Sequence, residues 1–268
     1  MSKNIETLDY IINYRPPHYN KEFPLILFWR NKSGCSTLVK WFFFQIGILE
    51  EARKYARNVH KYEFKVYKKQ NGYKEEVKEQ ILQSKKDVFK LVRNPYKRTV
   101  SSFLHLSNVV LKGNYNEGLY REWEKINELF HNNKNSNKGI HFKQFLYYIK
   151  HVGSDIERIN THIAQQYIEG EELFIKNYIH LENFNDCISE IEEKYRLKKS
   201  PLLEITKSKH HKAPLMNITG DYSETIITKE YFFKKSLPTY ESFYDKEAID
   251  LVKEIFKKDI EMYGYKNI

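Results

Sequence analysis

The 268-residue sequence is poor in cysteine, proline and glycine and lacks long apolar runs. Its two cysteines, Cys35 and Cys187, are too few for a disulfide framework, so we expect a reducing, cytoplasmic environment. The first residues include acidic side chains, and the apolar run at 38–48 is interrupted by Lys40 and Gln45. We therefore expect neither a signal peptide nor a membrane span.

The chain also lacks a cluster of residues spaced as metal ligands, and it lacks helix-turn-helix, zinc and RNA-recognition signatures. Its formal net charge is +10, which is compatible with an anionic partner. The abundance of Lys, Asn, Ile and Tyr offers a second explanation, since an adenine- and thymine-rich genome would produce it. A basic nucleic-acid-binding protein is therefore an alternative that rests on charge and scattered aromatic residues alone.

Strand and helix patterns alternate along the first part of the chain. Buried strands are predicted at 24–29 and 87–92, and an alternating pattern at 61–67 predicts another strand between them. The pattern predicts an α/β, P-loop-like three-layer fold with a central parallel sheet flanked by helices. Helices are predicted at 36–46, 74–84, 94–107, 115–130, 141–151, 185–195 and 245–262, with a further strand at 173–181.

Two boundaries organise the chain. Residues 1–22 are predicted to be an irregular lead-in because Pro16 and Pro17 disfavour regular structure, and 23–268 are predicted to be a single domain. Within that domain we expect a mobile polar loop near 131–138 and a basic loop near 206–217.

The segment between the first strand and its helix has the composition of an anion-binding loop. It reads Asn-Lys-Ser-Gly-Cys-Ser-Thr from Asn31 to Thr37. Backbone N–H groups converge where such a turn enters a helix, and Lys32 adds an ammonium group. The lysine precedes the glycine, which differs from the G-x-x-x-x-G-K-[ST] loop of ordinary nucleotide triphosphatases. The expected ligand is a phosphate-like group.

A second anion-binding motif follows the strand at 87–92. Arg93 stands at the carboxyl end of this strand, where α/β folds bind ligands, and Asn94 with Pro95 predicts a capped helix start. Ser101 lies two turns into that helix. A guanidinium group with a nearby hydroxyl is suited to capture of a phosphate.

Together, the Lys-Ser-Gly loop and the Arg-Asn-Pro-Tyr-x-Arg-x-x-Ser motif at 93–101 resemble the sulfotransferases, most closely the carbohydrate sulfotransferase branch. The resemblance implies the sulfuryl donor 3′-phosphoadenosine 5′-phosphosulfate (PAPS), the product 3′-phosphoadenosine 5′-phosphate (PAP), and a hydroxyl acceptor, by family likeness a saccharide. It assigns the 3′-phosphate to Arg93 and Ser101. It assigns the 5′-phosphosulfate to the loop residues Lys32, Ser33, Gly34, Cys35, Ser36 and Thr37.

Two departures and two weaker similarities accompany this resemblance. Asn31 stands where the family often has proline, and Asn94 where aspartate is common. Downstream, His162 and Gln166 match a family His-Trp-x-Pro-Gln segment whose tryptophan and proline are absent here. The resemblance places these two residues on the substrate side.

The chemistry of sulfuryl transfer needs a cation at the departing phosphate oxygen and a base for the acceptor hydroxyl. Lys32 is the predicted cation. His60 is the only histidine between the two motifs and is the first candidate for the base. Glu63 is the second candidate because some relatives use a carboxylate, and His162 is the third.

Sulfuryl and phosphoryl transfer can be distinguished by whether the sequence offers an acidic residue that could hold magnesium. The strand at 87–92 is followed by Arg93 and not by an acidic residue that could hold the metal that kinases need. We therefore expect a sulfotransferase that uses no metal, with a P-loop nucleotide or small-molecule kinase as the enzymatic alternative.

Overall fold

The computed structural model describes residues 2–114, 116–136, 138–207 and 213–266. The strands are β1 (Leu25–Trp29), β2 (Asp87–Val92), β3 (Asn177–His180), β4 (Met216–Ile218) and β5 (Leu237–Pro238). The helices are α1 (Ser2–Tyr14), α2 (Cys35–Gln45), α3 (Leu49–Tyr55), α4 (Val59–Lys65), α5 (Tyr73–Leu82), α6 (Pro95–Leu111), α7 (Glu117–His131), α8 (Phe142–Val152), α9 (Phe184–Lys194), α10 (Leu202–Ile205), α11 (Lys229–Phe233), α12 (Lys246–Ile255) and α13 (Lys257–Met262). Within these described ranges, none of the helices combines the length and apolar character that crossing a bilayer requires.

The chain divides into two compact units. The first comprises residues 1–93 and 167–209, and the second comprises residues 94–166 and 210–268. The prediction of a single domain at 23–268 is not tested by this division.

A three-stranded parallel sheet in the order β1-β2-β3 forms the centre of the first unit. Leu27 pairs with Phe89, and Leu91 pairs with Ile179. All five residues of β1 are buried, as expected for a parallel strand covered on both faces. The predicted α/β architecture with a parallel sheet flanked by helices is confirmed. The third strand is β3, which begins at Asn177, four residues later than predicted.

The predicted strand at 61–67 is wrong, because residues 61–65 lie in helix α4 and Tyr67 begins a short 3-10 helix. The side chain of Asn58 accepts the backbone N–H of His60 and caps the helix. Its buried residues, Val59, Tyr62 and Glu63, have helical spacing. The alternation of aromatic and charged residues was too short to distinguish the two-residue period of a strand from the 3.6-residue period of a helix.

The irregular lead-in predicted for residues 1–22 is also corrected, since α1 occupies Ser2–Tyr14. Leu8, Ile11 and Ile12 are buried and fall on one helical face. Pro16 and Pro17 follow the end of this helix and do not interrupt it. Beyond them, the backbone of His18 pairs antiparallel with Leu27 in β1.

The second unit is built around its own apolar core, to which α6, α7, α8 and α12 contribute aromatic and aliphatic side chains. Asn94 caps α6 by accepting the N–H groups of Tyr96 and Lys97, with Pro95 in the first turn, as predicted. The last predicted helix is divided at Phe256 into α12 and α13.

The two predicted loops are only partly covered by the described residues. Residue 137 of the polar loop and residues 208–212 of the basic loop lie outside them. At the edge of the basic loop, the ammonium group of Lys40 donates to the carbonyl of Lys207 at 2.7 Å. Beyond it, β4 pairs in parallel with β5.

A buried ion pair in the first unit generates a stability prediction. The Lys90 ammonium group lies 2.7 and 2.5 Å from the two carboxylate oxygens of Glu171, and both side chains are almost fully buried. Lys90→Met leaves a buried carboxylate without its cation and should lower the free energy of unfolding by about 3–5 kcal/mol, measured by urea denaturation. The control Lys78→Met, which removes a partly exposed partner of Asp9, should cost less than about 1 kcal/mol. Equal losses would contradict the prediction.

Candidate active site

The loop between β1 and α2 is fixed by its own hydrogen bonds. Ser33 donates its hydroxyl to the carbonyl of Arg30 at 2.6 Å, and the Ser33 N–H donates to the same carbonyl at 3.3 Å. Lys32 and Gly34 have φ values of 68° and 94°, so the chain turns sharply before the helix. Ser33 and Thr37 are buried and the other loop residues are partly exposed, so the predicted anion loop has both a fixed base and an accessible rim.

Gly34 has a double reason to lack a side chain. Its φ is positive, and a Cβ there would lie 2.5 Å from Cδ1 of Leu181. As the residue before α2, it also supplies no side-chain cap. The N–H groups of Cys35 and Ser36, in the first turn, have no acceptor within the helix and carry its positive dipole end. This geometry fits an anion.

Arg93 joins the second sequence motif to this loop. Because β1 and β2 are parallel neighbours, their carboxyl ends lie at the same edge of the sheet. The Arg93 guanidinium donates to the backbone carbonyl of Lys32 at 3.0 Å. Arg93 therefore positions the loop in addition to bringing its own charge to it.

His60 stands beside the loop in a chain of three hydrogen-bonded side chains. Its Nε2 lies 3.0 Å from the Ser36 hydroxyl, and its Nδ1 lies 2.5 Å from the Oε2 of Glu63. The His60 side chain is 17% exposed, whereas that of Glu63 is fully buried. Residues three apart on α4 share a helical face, which brings the imidazole and the carboxylate together.

Glu63 is held by more than His60. Its Oε1 accepts from the ammonium group of Lys68 at 2.6 Å, and Lys68 also donates to the carbonyl of Pro16 at 2.5 Å. The Oε1 also lies 3.6 Å from Nδ1 of His18. Burial lowers the pKa of His18 well below its usual range, so this contact involves a neutral imidazole. With Lys68 and His60 around it, Glu63 orients and stabilises the imidazole.

The pKa values separate the two candidate bases. Burial opposes ionisation of Glu63, but Lys68, His18 and His60 together outweigh it and hold the pKa of Glu63 well below its usual range. Burial also opposes the charge on His60, yet the neighbouring Cys35 thiol and the Glu63 carboxylate raise the pKa of His60 to about 9. A carboxylate that releases its proton so readily is a weak base, whereas the imidazole is the stronger and more exposed one.

Trp29, the last residue of β1, forms an aromatic wall next to His60. The centroid of its ring is 5.5 Å from the His60 ring, and the Arg15 guanidinium carbon lies 4.3 Å from the same indole. The Phe64 ring stacks on His60 with a centroid distance of 6.1 Å and lies 6.2 Å from the Trp29 ring. His60 is therefore packed against a cluster of two aromatic rings.

The remaining predicted site residues lie in the second unit. Ser101 is on α6 and partly exposed, one turn before His105, whose ring centroid is 5.0 Å from that of His162. The N–H and Nδ1 of His162 both approach Oδ1 of Asn160 at 3.0 Å. The roles of Ser101 and His162 stay predictions.

Gln166 differs from a substrate contact in its surroundings. It is fully buried, and its backbone N–H donates to both carboxylate oxygens of Asp259 at 2.9 Å. Its side-chain amide donates to the same carboxylate at 3.3 Å. This position fits a structural role in joining α13 to the segment at 166, and it does not support the predicted substrate contact.

Three acidic side chains in the second unit lie close enough together to be considered as a metal site. Glu224, Asp245 and Glu247 bring carboxylate oxygens close together. The Lys143 ammonium lies 2.7, 2.6 and 2.7 Å from them, respectively. Lysine therefore supplies the compensating charge of this group. Use of a metal by the enzyme stays untested.

Several residues of the site went unnoticed in the sequence. Lys68, His18, Arg15 and Trp29 belong to no motif, and their contacts join distant segments. The pair of His60 and Glu63 did carry a signal, because a spacing of three places both on one face of a helix. Reading the segment as a strand put them on opposite faces and concealed it.

The fold and the site are compatible with one class of enzyme. A loop with exposed N–H groups between a buried parallel strand and a helix, with a lysine at its rim and a histidine beside it, fits a group-transfer enzyme that acts on a phosphate-like donor.

The chain belongs to the sulfotransferase family, because the model of the sulfotransferase family matches residues 21–266. It is therefore a sulfotransferase enzyme and transfers a sulfuryl group. Comparisons with curated proteins and with solved structures gave no match. The family match decides against the kinase alternative.

The hydrogen bonds of His60 generate a prediction on its titration. Cys35→Ala removes a contact that raises the pKa of His60, so this pKa should fall from about 9 toward the ordinary value of about 6.5. The measurement is a pH titration of the imidazole NMR signals, with His60→Gln to assign the resonance. Cys187→Ala, at the other free thiol, should leave the titration unchanged. A His60 pKa unaffected by Cys35→Ala would contradict the assigned contact.

Proposed function

We propose that this sulfotransferase transfers the sulfuryl group of PAPS to a hydroxyl group of a saccharide, with His60 as the base and Lys32 as the cation. The observation that carries the proposal is the position of His60, hydrogen-bonded to Ser36 in the first turn of α2 and to the buried Glu63. The saccharide acceptor rests on the likeness to carbohydrate sulfotransferases. We also propose a cytoplasmic location, which the free thiols of Cys35 and Cys187 support.

The residues of the loop fit the proposed donor. When bound, PAPS supplies the sulfuryl group and a phosphate leaving group. The N–H groups of Cys35 and Ser36 and the ammonium of Lys32 would hold its 5′-phosphosulfate, since all three present positive charge at the start of α2. Arg93 and Ser101 are assigned to the 3′-phosphate by the sequence resemblance. No metal is part of the proposal, because a sulfuryl group carries one negative charge fewer than a phosphoryl group.

His60 accepts the proton of the acceptor hydroxyl at its Nε2. The nitrogen must be deprotonated to do so, and a pKa of about 9 means that the imidazole is mostly protonated at neutral pH. The buried carboxylate of Glu63 then stabilises the imidazolium that forms after proton transfer, since it accepts the Nδ1–H at 2.5 Å. Activity should therefore increase as the pH rises toward the pKa of His60.

Lys32 acts at the other end of the reaction. Burial opposes ionisation of the nearby Cys35 thiol, but His60 and, to a smaller extent, the ammonium group of Lys32 lower its pKa. A cation in this position stabilises the negative charge that develops on the departing phosphate oxygen as the new oxygen–sulfur bond forms.

The proposal is tested by nucleotide binding. Isothermal titration should show binding of PAP, and Arg93→Ala should weaken it by about 10- to 100-fold, because charged hydrogen bonds contribute about 1.5–3 kcal/mol each. The loss should be smaller for adenosine 5′-phosphate, which lacks the 3′-phosphate. This comparison separates phosphate binding from the contact of Arg93 with the Lys32 carbonyl. The control is Arg53→Ala, at an exposed position of α3. Unchanged PAP affinity in Arg93→Ala would refute the assignment.

The role of Lys32 is tested by the rate of transfer. Lys32→Ala should lower kcat by about 10²- to 10³-fold, because a cation that acts mainly on the transition state is removed. Transfer of labelled sulfate from PAPS provides the measurement. Lys54→Ala, at an exposed position of α3, should retain the wild-type rate. Full activity of Lys32→Ala would exclude the catalytic role.

A further inference from the structure

Arg30, the residue after β1, is a buried cation for which the described residues provide no acceptor. It is 2% exposed, and its Nε and both terminal nitrogens have no hydrogen-bond partner among those residues. A guanidinium group stays protonated in proteins, and a buried charge without compensation is strongly unfavourable. A charge retained under such conditions indicates a partner that the chain itself does not supply.

Two neighbours on and after α1 share this surplus of donors. The Arg30 guanidinium carbon lies 4.6 Å from the centroid of the Tyr14 ring, and the Tyr14 hydroxyl is buried without a partner in the described residues. The Nε of Arg15 is also buried and unpaired there. Burial and then the charge of Arg30 lower the pKa of Arg15, which places the two guanidinium groups within electrostatic range.

The described residues include no carboxylate paired with Arg15 or Arg30. The carboxylate that most favours the charge of Arg15 is Glu63, and it already binds Lys68 and His60. Arg15 instead donates to the side-chain oxygen of Asn31 at 2.7 Å, a neutral acceptor that leaves its charge unbalanced. Two guanidinium groups and a phenol therefore offer donors for one anion.

The position of these donors favours the acceptor over the sulfuryl donor. Arg15 packs on the indole of Trp29 at 4.3 Å, and the His60 ring lies 5.5 Å from the same indole. Trp29 thus contacts both Arg15 and His60, and in the proposed function His60 acts on the acceptor. Tyr14 and Arg15 are partly exposed while Arg30 is buried, so these two side chains form the entrance.

We propose that Tyr14, Arg15 and Arg30 form a binding site for an oxyanion group of the acceptor, either a carboxylate or a sulfate. The identity of the ligand as an acceptor rests on the function proposed above, whereas anion binding at Arg30 does not. The site makes the enzyme selective for anionic acceptors and fixes the reacting hydroxyl relative to His60.

Binding of simple anions tests the site independently of activity. The protein is saturated with PAP, so that the nucleotide phosphate sites are filled, and titrated with sodium sulfate and with sodium glucuronate against sodium chloride of equal ionic strength. Wild-type protein should bind at least one of the two oxyanions, and Arg30→Met should weaken that binding at least tenfold. Arg30→Lys keeps the charge without the planar fork and should be intermediate. Arg53→Met, at an exposed arginine, should equal wild type.

Stability distinguishes a binding role from a structural one. If Arg30 serves a ligand, Arg30→Met removes an uncompensated buried charge, and its Tm without anions should equal or exceed that of wild type. A lower Tm for Arg30→Met, together with wild-type oxyanion affinity for Arg30→Lys and Tyr14→Phe, would overturn the proposal.

Kinetics with matched acceptors identify the group that is bound. A uronate-containing oligosaccharide is compared with its carboxyl-reduced form, and a sulfated oligosaccharide with its desulfated form. For the pair whose anion is recognised, removal of the charge should raise KM at least tenfold for wild type and leave KM unchanged for Arg30→Met. Equal KM values within both pairs would overturn acceptor recognition. Absence of PAP binding would instead refute the proposed function, and oxyanion binding at Arg30 could then still be scored on the free protein.

Discussion

The buried carboxylate of Glu63 is the group on which the catalytic side of the structure depends. One of its oxygens binds the ammonium of Lys68 and the other binds the imidazole of His60. Lys68 in turn reaches the carbonyl of Pro16, so the same contact ties the segment after α1 to α4. Removal of the Glu63 carboxylate would leave the Lys68 ammonium buried without its anion, so this carboxylate is costly to alter.

The contacts of Glu63 help to fix the position of His60 beside the predicted anion loop. His60 belongs to the short helix α4, and the capping residue Asn58 and the acceptor Glu63 fix it from both sides in sequence. Its Nε2 lies 3.0 Å from the hydroxyl of Ser36 in the first turn of α2, where the dipole of that helix would attract the proposed anionic donor. In the proposed mechanism, proton acceptance and anion binding therefore meet at the start of α2. The consequence is a raised pKa, since Glu63 and Cys35 favour the protonated imidazole.

Local signals in the sequence were sufficient where the chemistry is local. The start of α6 at Pro95, with Asn94 as its cap, follows from side-chain to backbone bonds within a few residues. The parallel strands β1 and β2 follow from continuous apolar runs. In contrast, Lys68 and Arg15 acquire their roles through contacts between segments distant in the chain, and no periodicity or motif marks them. The helix α4 was missed because seven residues with alternating aromatic side chains fit both periods, and only packing on α2 selects one.

The two buried charges of Glu63 and Arg30 have opposite surroundings. Glu63 is surrounded by donors and is satisfied within the chain, as a structural carboxylate must be. Arg30 is equally buried but faces a phenol ring, another arginine in electrostatic range and no paired carboxylate among the described residues. The chain compensates the buried charge of Glu63 completely. We therefore interpret the lack of a paired carboxylate at Arg30, within the described ranges, as a sign of ligand binding. In the proposed mechanism Glu63 holds the base His60 in place, and Arg30 would bind a ligand whose own charge completes the proposed site.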